Sequence, residues 1–234
     1  MTATPEFHAY AAAHLTVILL TVVLPFVLAA WVRCSKGRLI ERAIAFAISG
    51  ILLINYFVNF FFVRHLNAST WQQSLPIQLC DWAAVVVVIA LLKKNLRWFE
   101  VAYFWGIGGT LQAILTPNLP FGFPDLRFIS FFVSHCGIVI GILFMMLIHR
   151  FRPYPMSILR VFGWSEIYFV FTLVADRYTG FNYGFLLHKP EAFSILSFLS
   201  DSRPVYLLQM QGVALLFFLV LYVPFAIVDL AKNR

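Results

Sequence analysis

The sequence predicts an all-α, polytopic membrane protein, a helical bundle of about seven transmembrane spans. Of its 234 residues, 62% are hydrophobic and only 12% are charged, whereas soluble domains commonly carry about 25% charged residues. Apolar stretches recur at about 20 residues, the length at which an α-helix crosses a bilayer. Basic residues concentrate in the short segments between these stretches, as is typical of membrane-protein loops.

Each predicted span is an apolar run bounded by charged residues, glycine or proline. Boundaries read from a sequence are uncertain by about two to four residues. In chain order the spans are Tyr10–Trp31, Arg42–Val63, Leu75–Leu92, Trp98–Thr116, Phe128–His149, Ser157–Asp176 and Val205–Val228. We expect residues 1–234 to form a single integral membrane domain.

The distribution of cations predicts an outer N-terminus and a cytoplasmic C-terminus. Arg33 and Arg38 follow the first span and no basic region precedes it, which favours an uncleaved anchor over a signal peptide. Cations retained on the cytoplasmic side fix topology. With the N-terminus outside, the outer segments hold, of the 17 basic residues, only Arg64, Arg127, Arg177, Lys189 and Arg203.

The net charge of +7 does not indicate a nucleic-acid partner. The cations lie in separate short loops and do not form one continuous basic patch, which is the usual footprint of nucleic-acid binding. We therefore expect the bilayer, and no nucleic acid, to be the partner of this chain. The sequence leaves the oligomeric state open.

Polar side chains recur in the outer third of five predicted spans. At helical rise, Cys80 lies about 6 Å below Pro76 and His135 about 12 Å past Arg127. Intramembrane polar groups are costly and commonly mark function. Their coincidence at one depth predicts a site that opens toward the outer leaflet, built from Asn55, Asn59, Cys80, Gln112, His135 and Gln209.

Cys80 and His135 are the candidate reactive pair. A thiolate attacks carbonyl carbons, and a neighbouring imidazole can take its proton and later return it. Cys80 is expected in the first turn of its helix, where unpaired backbone amides favour an anion, although burial in lipid favours the neutral thiol. Asp81 diverges from Cys80 by about 100° on a helix and is expected to orient a cation or His135.

Structural roles remain open for the same residues. A lone cysteine in a helix is usually a small hydrophobe, and an intramembrane histidine also serves as a hydrogen-bond link between helices. Glu166 is equally consistent with a proton relay and with a buried structural partner. The stretch "WGIGGTLQA" indicates close helix packing at Gly106 and its neighbouring glycines, not a phosphate-binding loop.

We expect no metal and no cofactor. A zinc site from Cys80, His135 and an acidic residue lacks the close ligand spacing that zinc sites show. Cys34 lies in the first inner loop, across the membrane from the polar residues. Cys136 adjoins His135, but adjacent residues of a helix do not face one another. The three cysteines indicate no disulfide framework.

Several motifs resemble a known membrane family. The chain contains "LPIQLCDWA", "YFWGIGGTLQAILTPNLP", "FFVSH", "ADRYTGFNYGFLLHKP" and "LLQMQG". Over about residues 40–230 these resemble the YwaF-like bacterial integral membrane family, related to the acyltransferase transmembrane protein 164. More distantly they resemble the androgen-induced-one-like lipid hydrolases, in which threonine replaces cysteine. The family pattern has histidine at the position of Gln78.

The resemblance implies a phospholipid transacylase in the bacterial cytoplasmic (plasma) membrane. The cysteine of LP-x-x-LC is Cys80 and the histidine of FF-x-x-H is His135, which implies an acyl-cysteine formed with histidine assistance. The acyl group would pass from a phospholipid to a lysophospholipid or to water. Gln112, Asn118 and Asp81 are the candidates for oxyanion stabilisation or orientation, and the substrate-binding candidates are Gln78, Asn59, Arg177, Asn182, Lys189 and Gln209.

Two other classes remain open. A small-solute transporter or channel would also gather polar residues inside a bundle, but they should continue toward the inner mouth, where this sequence is sparse. A non-catalytic membrane scaffold would use the polar residues only to hold helices together.

Overall fold

The computed structural model describes residues 5–35, 37–63, 70–190 and 194–232. The predicted cation Arg64 and its neighbours up to residue 69 lie outside the described residues. Within those ranges the regular structure is helical, as predicted, apart from one isolated bridge between Glu6 and Phe121. The helices are α1 (Ala12–Cys34), α2 (Arg38–Val58), α3 (Leu79–Lys93), α4 (Leu96–Trp105), α5 (Leu111–Leu115), α6 (Leu126–His149), α7 (Pro155–Thr179) and α8 (Arg203–Lys232).

Two π-helical segments extend the helices. Asn59–Val63 continues α2, and Gly106–Thr110 joins α4 to α5. Within the described ranges, five helices are long and apolar enough to cross a bilayer: α1, α2 with its extension, α6, α7 and α8. Predicted spans three and four are also helical, as the 15-residue α3 and as α4 to α5 across the π-helical segment. The count of seven spans and the orientation stay predictions.

The contacts divide the chain into two compact units, which we describe separately. Unit 1 comprises Met1–Pro76 and Cys80–Arg152, and unit 2 comprises Ile77–Leu79 and Pro153–Arg234. The expectation of one integral membrane domain stays a prediction.

Helix α6 forms the centre of unit 1. It packs against α1, α2, α4 and the π-helical segment Gly106–Thr110, and Ile138, Ile142, Phe144 and Met145 are fully buried. Gly106 allows the close approach predicted for this stretch, since a Cβ there would lie 2.8 Å from Cγ2 of Ile138. A larger residue would push the segment away from α6.

Charged side chains connect helix ends within unit 1. The Glu41 carboxylate in α2 pairs with Lys94 and lies 3.5 Å from Nε2 of His149 at the end of α6. Arg33 in α1 donates a 2.9 Å hydrogen bond to the carbonyl oxygen of Leu147. Arg33 thus joins the end of α1 to the last turn of α6. Glu41 joins the beginning of α2 to the end of α6 and to the residue that follows α3.

Besides Ile77–Leu79, unit 2 contains α7, α8 and the segment between these two helices. Helices α7 and α8 pack together, while the α8 surface stays largely exposed, as expected of a lipid-facing helix. Gly180 ends α7 in the left-handed conformation. Two 3-10 turns follow, Tyr183–Phe185 and Ile195–Phe198; residues 191–193 lie outside the described ranges.

Candidate functional site

Cys80 is the second residue of α3, in the first turn, as predicted. The helix begins at Leu79 rather than near Leu75 because Leu75 has extended backbone angles (φ −63°, ψ 137°). Cys80 is half-buried and forms no disulfide with the other described cysteines, of which Cys34 is exposed and Cys136 is buried. Cys136 belongs to an apolar cluster with Phe128, Phe132 and other core residues, which supports its dismissal as a nucleophile.

His135 lies in α6 and is buried, with 8% of its surface exposed. Its Nδ1 lies 2.7 Å from the carbonyl oxygen of Phe131, one turn earlier in the helix, and the two rings stack with centroids 4.2 Å apart. Because a carbonyl only accepts, Nδ1 carries the proton and donates. In the neutral imidazole Nε2 is then the basic nitrogen, the form a general base requires.

Burial is the main influence on the charge of His135, and the Asp81 carboxylate contributes a smaller electrostatic effect. Asp81 follows Cys80 in the first turn of α3, and 9% of its surface is exposed. A carboxylate close to a buried imidazole favours the protonated ring that general-base catalysis creates. The role expected for Asp81, orienting a cation or His135, stays a prediction.

A second histidine shows the structural alternative. His14 is buried with 1% exposure. Its Nδ1 accepts the Tyr10 backbone N–H at 2.9 Å, and its Nε2 donates to the carbonyl oxygen of Ile114 at 2.7 Å. Both nitrogens are thus occupied. Nε2 of His135, in contrast, makes no hydrogen bond to the described part of the chain.

The two asparagines of span two lie on one face, as their spacing predicts, and both contact Ser130 of α6. Asn55 donates to the Ser130 carbonyl oxygen at 3.0 Å, and Asn59 donates to its Oγ at 2.9 Å. Ser130 precedes His135 by five residues. The Asn59 amide therefore connects α2 to α6, and its expected role in substrate binding stays a prediction.

Of the candidate oxyanion donors, Gln112 lies at the beginning of the short helix α5 and Asn118 lies beyond its end. Gln112 is exposed, and its Nε2 donates to the Thr116 hydroxyl at 2.6 Å, one helical turn later. Asn118 is exposed in the segment that follows α5. Each would have to turn its amide toward the substrate to stabilise an oxyanion.

The candidate binding residues of unit 2 mostly hold its connecting segment together. The carbonyl oxygen of the Asn182 side chain accepts from the backbone N–H groups of Leu187 and His188. Lys189 donates to the Leu199 carbonyl oxygen at 2.6 Å and to the exposed Asp201 carboxylate at 2.7 Å. Lys189 holds the pKa of Asp201 below its ordinary value through a hydrogen bond and its charge.

The remaining candidates of unit 2 differ in exposure and pairing. Gln209 accepts from the Ser200 N–H at 2.6 Å, and the Gln78 side-chain oxygen accepts from the Gly184 N–H at 3.2 Å. Arg177 is exposed near the end of α7. Oε2 of Glu166 accepts from Nε2 of Gln211 at 3.3 Å, a contact between α7 and α8. Its Oε1 is buried without a hydrogen-bond partner among the described residues, and both expected roles stay predictions.

Asp176 is a buried acid that the sequence reasoning did not single out. Only 1% of its surface is exposed. Its Oδ1 accepts the backbone N–H of the fully buried Tyr183 at 2.8 Å, and Oδ2 has no hydrogen-bond partner among the described residues. The Thr172 hydroxyl, one turn earlier, is likewise buried without such a partner. The sequence signal for Asp176 was an acidic residue at the end of a predicted span, within "ADRYTGFNYG".

The described residues contain no group of three or more His, Cys, Asp and Glu side chains that could hold a metal ion.

The apolar helices and their buried polar side chains define a multi-pass α-helical membrane protein. Residues 9–222 match the model of the TMEM164 family, and the chain belongs to that family. It is also 28% identical over 171 residues to an uncharacterized protein of Treponema pallidum (strain Nichols), a match that covers 72% of this chain and 69% of the relative. No solved structure matches the chain. The YwaF-like and androgen-induced-one-like resemblances stay predictions.

Proposed function

We propose that the protein is a membrane-embedded phospholipid acyltransferase that works through an acyl-cysteine at Cys80. Membership of the TMEM164 family supports an acyl-transfer chemistry. The observation that carries the proposal is the tautomer of His135: the Nδ1–H bond to Phe131 makes Nε2 the basic nitrogen. Asp81, adjacent to the cysteine, supplies the carboxylate that favours the imidazolium.

In the first half-reaction, Nε2 of His135 removes the thiol proton of Cys80, and the sulfur attacks the ester carbonyl carbon of a phospholipid. The tetrahedral intermediate breaks its C–O bond, and the departing lysophospholipid oxygen takes the proton from His135. The acyl chain remains on Cys80 as a thioester. Gln112, Asn118 or backbone amides at the start of α3 stabilise the oxyanion, for which one donor contributes about 3 kcal/mol.

In the second half-reaction, a lysophospholipid hydroxyl attacks the thioester while His135 accepts its proton. The carbon–sulfur bond breaks, and the thiolate of Cys80 recovers the proton. Water in place of the lysophospholipid would give hydrolysis. Arg177, which is exposed, and Lys189, which binds the Asp201 carboxylate, stay the candidates for phosphate binding that the sequence suggests.

The same proposal locates the protein in the bacterial cytoplasmic membrane with its N-terminus outside. The asymmetric distribution of cations along the chain and the similarity to a protein of a bacterium support this location.

The test is acyl-enzyme trapping. Purified protein in nanodiscs is incubated with a phospholipid radiolabelled in its acyl chain, and label bound to the chain is tested for release by neutral hydroxylamine. We expect labelling of the wild type and none of Cys80→Ala, with Cys136→Ala as the matched control that keeps the label. Equal labelling of the wild type and Cys80→Ala, or no labelling with any donor, would refute the mechanism. Solute flux into proteoliposomes without lipid turnover would favour the transporter.

A further inference from the structure

Two hydrogen bonds hold the peptide that leads into Cys80. The Tyr168 hydroxyl of α7 donates to the Ile77 carbonyl oxygen at 3.0 Å, and the Gly184 N–H donates to the side-chain oxygen of Gln78 at 3.2 Å. Tyr168 and Ile77 are both buried at 8% exposure. The tripeptide Ile77–Leu79 consequently belongs to unit 2, and the next residue along the chain is the candidate nucleophile.

The two donors are positioned by the same part of unit 2. Gly184 adopts a φ of +60°, and a Cβ there would lie 3.2 Å from the Tyr168 hydroxyl. A side chain at residue 184 would therefore be strained and would crowd the very group that bonds Ile77. Asp176 orders the preceding residue by accepting the Tyr183 N–H at 2.8 Å.

We infer that Tyr168 and the Gly184–Gln78 contact are positioning elements for Cys80. The inference rests on the proposed function for the role of Cys80, but its contacts do not depend on that role. One bond fixes the main chain at residue 77 and the other fixes the side chain at residue 78, so the two residues before α3 have little rotational freedom. Cys80 then stays in the first helical turn, where the unpaired amides of α3 favour its thiolate.

Gln78 accordingly contributes to the site by orienting the backbone, through its carbonyl oxygen. Its side-chain N–H₂ group lies on the other arm of the amide. The Gly184 N–H needs an acceptor, so a residue at position 78 must carry a hydrogen-bond acceptor about as far from its backbone as the Gln78 side-chain oxygen.

The experiment measures the reactivity of the Cys80 thiol without any lipid substrate. In a Cys34→Ser background, which removes the exposed thiol, protein in nanodiscs is alkylated with iodoacetamide from pH 6 to pH 10. The modified Cys80 peptide is quantified by mass spectrometry. The variants are Tyr168→Phe, which removes the hydroxyl that donates to Ile77, and Gln78→Met, which keeps the side-chain length and removes the accepting oxygen.

We expect both variants to move the midpoint of the alkylation profile to higher pH and to lower the rate near pH 7 by about two- to tenfold, the population change that one net hydrogen bond supports. The matched control is Tyr206→Phe. This variant removes a hydroxyl that donates a 2.9 Å hydrogen bond to the Phe185 carbonyl oxygen, also in unit 2. It should leave the alkylation profile unchanged.

An unchanged profile in both Tyr168→Phe and Gln78→Met would overturn the inference, as would an equal shift in Tyr206→Phe, which would indicate general loosening of unit 2. Gln78→Met decides the outcome if Tyr168→Phe fails to fold. Acyl-enzyme trapping separates the two proposals. A shifted profile in a protein that never forms a thioester would leave the positioning role intact and refute the acyl transfer.

Discussion

His135 donates its Nδ1 proton to the carbonyl oxygen of Phe131 across 2.7 Å, within a single helix. The bond needs no partner from another helix, so α6 by itself sets the tautomer of the buried ring. Nε2 is thereby assigned as the basic nitrogen before any substrate arrives.

Replacing His135 should abolish acyl-enzyme formation while the fold persists. We expect His135→Gln to slow Cys80 labelling by about 10²- to 10⁴-fold, the usual contribution of a general base. The measurement is the single-turnover rate of thioester formation. His14→Gln is the matched control: it removes a structural imidazole bonded on both nitrogens and should lower thermal stability without a comparable loss of labelling. A labelling-competent His135→Gln would contradict the assigned base.

Asp81 should contribute to the rate by stabilising the imidazolium. Asp81→Asn keeps the size of the side chain and removes its charge, so we expect about tenfold slower thioester formation, equivalent to about 1.4 kcal/mol in the barrier. Single-turnover labelling measures it. A double-mutant cycle with His135→Gln should show that the second change adds little, because both act through one ring. Full additivity would assign Asp81 to a separate role.

The start of α6 should show an acid-dependent stability. Asp125 caps the helix and pairs with Arg127, and the hydrogen bond from Arg127 holds the pKa of Asp125 below its ordinary value. This stability is present above about pH 4 and is lost as pH falls through the lowered pKa. Asp125→Asn should flatten the acid side of a plot of melting temperature against pH, with Asp201→Asn, at an exposed pair, as the control. Identical slopes for Asp125→Asn and the wild type would contradict the pairing.

Asp176 should be required for the stability of unit 2. Asp176→Leu leaves the buried Tyr183 N–H without its acceptor, at a cost of about 1–3 kcal/mol. Thermal unfolding in detergent should show the loss. Asp176→Asn, which retains an acceptor oxygen, should recover most of it. Equal loss in both variants would instead assign the requirement to the negative charge.

Gly106 should tolerate no side chain. The Cβ of Gly106→Ala would collide with the side chains of Ile138 and Ile142 in α6, and such overpacking costs about 1–3 kcal/mol. Gly163→Ala is the matched control, since nothing lies within 4 Å of a Cβ there, and it should be neutral or stabilising by up to about 1 kcal/mol. Thermal unfolding of the two variants side by side provides the comparison. Equal melting temperatures would show that the close approach is relaxed in the bilayer.

Part of the candidate site was readable from spacing alone. The position of Cys80 in the first turn of α3 and the shared face of Asn55 and Asn59 follow from helical geometry. The role of Asp81 in orienting a cation or His135 stays a prediction. The sequence did not predict that Asn182, Lys189 and Gln209 hydrogen-bond to the segment between α7 and α8. A sequence does not distinguish a polar side chain that faces a ligand from one that bonds a neighbouring backbone group.

The sequence by itself determined the class of the molecule and the approximate extent of its helices, because the free energy of placing a segment in lipid is largely a sum over its own residues. The tertiary structure alone decided which groups are joined: His14 to Ile114, Tyr168 to Ile77, and Gly184 to Gln78. Hydrogen bonds and electrostatic contacts depend on distances of a few ångströms between segments far apart in the chain. Those distances are set by packing, which no local pattern encodes.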